Sequence, residues 1–194
     1  MKVLITALIL SCLVNTAALG TELPELQIFL STLPSAQDRS LKFSEYRHSS
    51  LFEEALILEG ELRIDEQGAL VKQLDSPVRE KMVIGTREFS LETPDKSYKT
   101  KLSRSPFLKT LSAGLRGLLN RDADAILSVF DVQLEQTDID WVMILKPRAR
   151  SLRKYVERLE VAGCPGQVSV VSIHTGPDEW QEMIFQEGGE ACTP

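Results

Sequence analysis

Side chains able to carry out chemistry are few along this chain, and they do not gather. Asp138 and Asp140, spaced i and i+2, come nearest to a carboxylate pair. Their place just before Trp141 reads as the polar tip of a hairpin, because aspartate favours turns by bonding to nearby backbone. His48 and His174 each end an apolar–polar alternation, and with no nucleophile beside either they read as surface or rim residues, not general bases. Gly-x-Ser-x-Gly, His-Glu-x-x-His and Gly-rich phosphate-loop motifs are absent. Cys164 and Cys192 form no Cys-x-x-Cys pair, and two histidines without close Cys/His spacing leave no zinc ligand set. No catalysis, metal or cofactor is expected.

Glu45 and Arg47 are less ordinary. Alternation through Leu41-Lys42-Phe43-Ser44-Glu45-Tyr46-Arg47 puts Leu41, Phe43, Glu45 and Arg47 on one face, so two opposite charges share a face that begins apolar. One reading makes them the polar rim of a cavity, with Arg47 facing an anionic head group. The other makes them a local ion pair on a wet strand end, worth about 0–1 kcal/mol.

The elements that would position such residues follow from periodicity. Leu23, Leu26, Phe29, Leu30 and Leu33 have helical spacing, and Pro34 stops that helix. From Leu41 to Leu102 the pattern turns to short strands. Leu56, Leu58, Leu62 and Ile64 alternate with charged residues, Gln67-Gly68 marks a hairpin turn, and Leu70, Lys72 and Leu74 continue on the return. Met82 with Ile84 and Phe89 with Leu91 repeat the pattern, giving an antiparallel meander. Ser105 as N-cap and Pro106 at the first helical position then open a helix carrying Phe107, Leu108, Leu111, Leu115 and Leu118, and a second helix is expected over Ala123–Phe130. Strands resume at Val132–Gln136, Trp141–Lys146, Val156–Val161, Gln167–His174 and Trp180–Gln186. The order is helix, strands, two helices, strands: an α+β or barrel-like fold, not βαβ alternation.

The leucine stripe has two readings. Such stripes are ordinarily core. Helices that interrupt a meander can instead lie across a curved sheet as a lid, and Gly114 and Gly117 suit a helix that packs closely or moves.

The N-terminus reads as a secretory signal. Lys2 precedes a mostly apolar run from Val3 to Val14, and Ala18-Leu19-Gly20 offers small residues for cleavage; a spanning helix needs roughly 20 apolar residues. Residues 1–20 are thus expected to be removed, leaving one soluble domain over 21–194. A competing reading takes Ile9-Leu10-Ser11-Cys12 as a lipoprotein box with Cys12 lipidated. Without Lys2 the balance is 21 basic to 28 acidic side chains, a net charge of −7, and no basic stripe suits nucleic acid. Cys164 and Cys192, an even pair in an oxidising compartment, favour a disulfide, with two inert thiols as the rival.

Several ordered segments resemble the LolA-related family of outer membrane lipoprotein carriers. They are Phe43-Ser44-Glu45-Tyr46-Arg47 with Leu51, Gly60-Glu61-Leu62, Ser76-Pro77-Val78-Arg79-Glu80, the helical middle to Phe130, and Trp141-Val142-Met143-Ile144-Leu145-Lys146-Pro147. The resemblance covers roughly Glu22 to Gln186. It implies an open, strongly curved antiparallel half-barrel with an N-terminal helix and a central helical lid. The implied protein is a monomeric, non-enzymatic periplasmic carrier that shields acyl chains of a lipid or lipoprotein between inner-membrane donor and outer-membrane acceptor proteins. With alternation, the family picture places Leu56, Leu58, Leu62, Ile64, Met82, Ile84, Phe89 and Leu91 in the cavity and Phe107, Leu108, Leu111 and Leu115 in the lid. One departure stands out: the carrier's Arg-Pro pair after Gly-x-Leu is missing, and Glu66 lies where the arginine would align. That counts against the same latch and the same cargo. Lipidation of Cys12 would instead imply a membrane-anchored LolB-like acceptor. A barrel filled by its own side chains would imply a protein-interaction module.

Overall fold

The computed structural model describes residues 21–34, 40–51 and 53–186. The signal sequence, Cys12 and Cys192 lie outside them. Among the described residues the chain begins with α1 (Leu23–Thr32), which buries Leu26, Phe29 and Leu30. Six strands follow: β1 (Ser40–His48), β2 (Leu56–Ile64), β3 (Leu70–Ser76), β4 (Glu80–Ile84), β5 (Glu88–Glu92) and β6 (Ser97–Lys101). After a 3₁₀ turn come α2 (Pro106–Asn120) and α3 (Ala123–Leu127). Five more strands complete the order: β7 (Phe130–Gln136), β8 (Trp141–Pro147), β9 (Arg158–Gly163), β10 (Val170–Gly176) and β11 (Glu179–Phe185).

All eleven strands form one antiparallel sheet in the order β6-β5-β4-β3-β2-β1-β11-β10-β9-β8-β7. Each meander pairs with its sequence neighbours, and the two join where β1 lies against β11. The free edges are therefore β6 and β7, and α2 and α3 carry the chain from one edge to the other. A connection of that kind must cross a sheet face, and here it crosses the inner one. The β2–β5 half, the β9–β11 half and α2 wall one cavity together, so the sheet curves around its inner face as an open half-barrel.

Local chemistry explains the helices. The Ser105 hydroxyl accepts from the Leu108 amide at 3.3 Å and Pro106 occupies the first turn, a paired start signal. The Asp122 carboxylate caps α3 by accepting from the Ala125 amide at 2.9 Å. The second helix ends at Leu127, short of the expected Phe130, because Phe130 is drawn into strand pairing with Pro147 and is buried. Likewise β9 starts at Arg158 instead of Val156, whose amide closes a turn onto the Leu152 carbonyl.

Packing fixes where α2 sits. A Cβ on Gly114 would lie inside the envelope of the Phe130 ring, and one on Gly117 would stand 2.6 Å from Ile126 Cγ1. The two glycines thus form a bare strip against β7 and α3, while the leucines of α2 line the cavity.

On the outer face, Trp180 of β11 pairs across the sheet with His48 on one side and His174 on the other. Its ring stacks on His48 at 4.1 Å between centroids and lies 6.4 Å from His174. His174 Nε2 is 3.6 Å from Glu160 Oε1, too long for a hydrogen bond. Burial and the Arg158 guanidinium lower the His174 pKa from 6.5, with Glu160, Glu157 and Glu182 opposing.

Two predictions follow from this packing. Gly114→Ala should lose about 1–3 kcal/mol in urea unfolding through overpacking on Phe130, despite alanine's better helix propensity. Adding Phe130→Leu should recover part of that loss, a coupling read from the double-mutant cycle. For His174, the unfolded chain binds the proton more readily than the folded one. Its contribution is therefore complete above pH 6.5 and is lost as the pH falls below 6.5 towards the lowered folded value. The Tm difference between the protein and His174→Gln should change across that window and stay flat from pH 7 to 8.

Candidate functional site

The inner face holds a cavity of about 890 Å³, towards the upper end of the roughly 300–1,000 Å³ range of small-molecule sites. Leu62 of β2, Leu70 of β3, Met82 and Ile84 of β4 and Phe89 of β5 form one wall. Facing them are Val161 of β9, Val171 and Ile173 of β10, and Met183 and Phe185 of β11. The roof is α2, through Phe107, Leu108, Leu111, Leu115, Leu118 and Leu119. These roof side chains are only partly buried although they face inward, because what lies beneath them is open space.

Alternation in β2, β4 and β5 bears on one of the two walls. β1 pairs with β2 without a shift, so Leu58 stands opposite Glu45 and Leu62 opposite Leu41, on the inner face. Of the eight residues expected in the cavity, Leu62, Met82, Ile84 and Phe89 line it, and all four expected lid residues do as well. Leu58 is buried below the cavity, and Ile64 and Leu91 pack against the core without reaching it. Leu56 shares the phase but sits at the strand end beyond the cavity, 43% exposed.

The opposite wall from β9–β11 is absent from the sequence reading. Its alternation is visible in Val171-Ser172-Ile173 and Met183-Ile184-Phe185. What the pattern does not carry is that β11 pairs with β1 and so brings these strands around the same space.

Glu45 is not at a rim. Its side chain is 0% exposed and accepts two cations. Arg47 Nε donates to Oε1 at 2.6 Å, and Lys72 Nζ donates to Oε2. Arg47 is one-third exposed and does not line the cavity, whereas Lys72, at 13%, does. Lys72 Nζ also stands 5.4 Å from the Phe43 ring centroid, a cation–π contact. Burial is the main influence on Lys72 and pushes its pKa down; Glu45 pulls it up. A carboxylate with no water would be costly alone, and these two partners make it tolerable. In the sequence Lys72 is a charge in phase with Leu70 and Leu74 on the apolar face of β3; its partner is two strands away.

The roof is tethered on the side opposite its glycine strip. Arg116 Nη2 donates to the carbonyl of Gly68 at 2.8 Å and to that of Ile84 at 3.4 Å, joining α2 to the β2–β3 turn and the end of β4. Gly68 has φ +72°, and the Asp65 carboxylate accepts from the Gln67 and Ala69 amides to shape the turn. Among the described residues no metal-ligand cluster occurs and no helix is long and apolar enough to cross a membrane.

Glu45→Gln leaves two cations facing each other beside an apolar cavity. It is expected to cost about 3 kcal/mol in urea unfolding, the low end for a broken buried pair because Arg47 can reach water. The combined Glu45→Gln/Lys72→Met should be less destabilised than Glu45→Gln alone.

Comparison with solved structures places the chain beside a LolA superfamily protein of Nitrosomonas europaea, at 11% identity and a TM-score of 0.41, covering 84% of this chain and 90% of that one. The MucA/MucB complex of Pseudomonas aeruginosa matches at 12% identity and a TM-score of 0.43, with 84% of this chain against 56% of that chain. LprF from Mycobacterium bovis matches at 10% identity and a TM-score of 0.35, with 84% and 92% covered. No curated protein matches the chain. The family described as outer membrane lipoprotein carrier protein LolA-like matches residues 17–186, nearly the whole chain, and this protein belongs to that family.

Proposed function

We propose that this protein is a non-enzymatic periplasmic carrier that holds an acyl chain of a lipid or lipoprotein in the inner cavity and passes it towards the outer membrane. The observation that supports this is the cavity: about 890 Å³, walled by aliphatic and a few aromatic side chains and roofed by a leucine-bearing helix. Each buried CH₂ of a ligand contributes about 0.8 kcal/mol, so a long chain is held strongly only where such a surface surrounds it. A barrel filled by its own side chains would leave no such space. In this reading residues 1–20 are the export signal, the single mature domain starts at Thr21, and Cys164 pairs with Cys192 in the oxidising compartment. The protein works as a monomer between an inner-membrane donor and an outer-membrane acceptor. Lipidation at Cys12 would make it an anchored acceptor, and intact mass of the exported protein distinguishes the two.

Native mass spectrometry of the exported protein, followed by organic extraction, tests the reading. A co-purifying acylated molecule is expected. An apo mass together with no binding of N-phenyl-1-naphthylamine would overturn it. Leu111→Glu should weaken binding of that neutral probe at least about tenfold by placing a charge in the roof, with the β-sheet circular dichroism retained. Unchanged probe affinity in the folded variant would count against α2 as the roof.

A further inference from the structure

Of the described residues that wall the cavity, Lys72 alone carries a charge. It lies on the inner face of β3, opposite Leu62 on one side and Met82 on the other, in the middle of the aliphatic wall. Behind it, the buried Glu45 is shared between Lys72 and Arg47. One carboxylate against two cations leaves this contacting group with a single positive charge in excess. Glu80 on β4 has a smaller influence on Lys72 than Glu45 and forms no ion pair with it among the described residues. An ammonium has three protons to donate, and the one given to Glu45 leaves others able to face the cavity.

An excess charge in an apolar wall is stabilised by a counter-charge that enters with the ligand. We propose that the ligand is a long-chain carboxylate, whose head group bonds Lys72 while its aliphatic tail runs beneath Leu108, Leu111 and Leu115. The charge count selects the head group: one negative charge balances the group, whereas a dianionic phosphate exceeds it. A bound carboxylate would also act with Glu45 to hold the Lys72 proton against the effect of burial. The inference rests on the acyl-carrier reading and adds to it the class of ligand and the residue that recognises it.

The test is displacement of N-phenyl-1-naphthylamine at pH 7.5 by dodecanoate, 1-dodecanol and dodecyl phosphate, which share one tail. Dodecanoate is expected to displace the probe at a concentration about tenfold or more below that of dodecanol, the range for a hydrogen bond to a charged group. Lys72→Met should close that gap, with the loss falling on the carboxylate, and Lys72→Arg should keep it. Lys72→Gln replaces Lys72→Met should the methionine variant not fold. Equal displacement by dodecanoate and dodecanol in the unaltered protein overturns the proposal while leaving the carrier reading intact, as does a gap that survives in folded Lys72→Met. Preference for dodecyl phosphate over dodecanoate overturns the monoanion assignment. Displacement by none of the three overturns the carrier reading and this inference with it.

Discussion

The contact between Gly114 and the Phe130 ring sets the distance at which α2 stands from the sheet. An eleven-stranded antiparallel sheet with an apolar inner face has to cover that face, and among the described residues the longest helix, α2, lies across it. With the glycine strip of α2 seated on β7 and α3, the leucine side cannot descend into the concavity. It roofs the space instead of filling it. The partial burial of Leu108, Leu111 and Leu115 is the consequence: they complete a lining, not a core.

Two further features depend on that stand-off. Arg116 reaches the Gly68 and Ile84 carbonyls because α2 lies across the β3–β4 side, so the roof is held by packing along one edge and by Arg116 hydrogen bonds along the other. The two edges differ in kind. Close apolar packing resists separation over its whole length, whereas a single guanidinium on two carbonyls exchanges with water at modest cost. Second, the space under the roof brings Lys72 to an apolar surface that a filled barrel would have closed over it.

The Glu45 cluster shows how polar groups are accommodated in such a lining. A fully buried carboxylate is paired with one cation that reaches towards water and one that faces the cavity. The aromatic ring of Phe43 adds a cation–π contact to the lysine. The ring in turn sits opposite Gly60 on β2, where any side chain would meet the Gln73 carbonyl. A glycine in β2, an aromatic in β1 and a charge pair that spans β1 and β3 thus form one packing unit.

Much of this was determined locally and could be read from the sequence. Capping at Ser105, the proline stops, the turn at Gly68 and the two-residue period of β1, β2, β4 and β5 depend on neighbouring residues alone, so helices, strands and the faces of their side chains were legible. The shared face of Glu45 and Arg47 followed for the same reason. Tertiary structure decided the rest. Periodicity says which side chains share a face but not which strands become neighbours, so the β9–β11 wall and the Glu45–Lys72 pair emerge only once β11 pairs with β1 and β3 pairs with β2. Leu56 had the right phase and the wrong end of its strand. Phe130 had helical spacing and became strand, because pairing with Pro147 and packing on Gly114 outweigh a helix-compatible pattern. Whether the leucines of α2 would be core or roof was likewise a question of distance between elements, and that distance is a property of packing which no stretch of sequence contains.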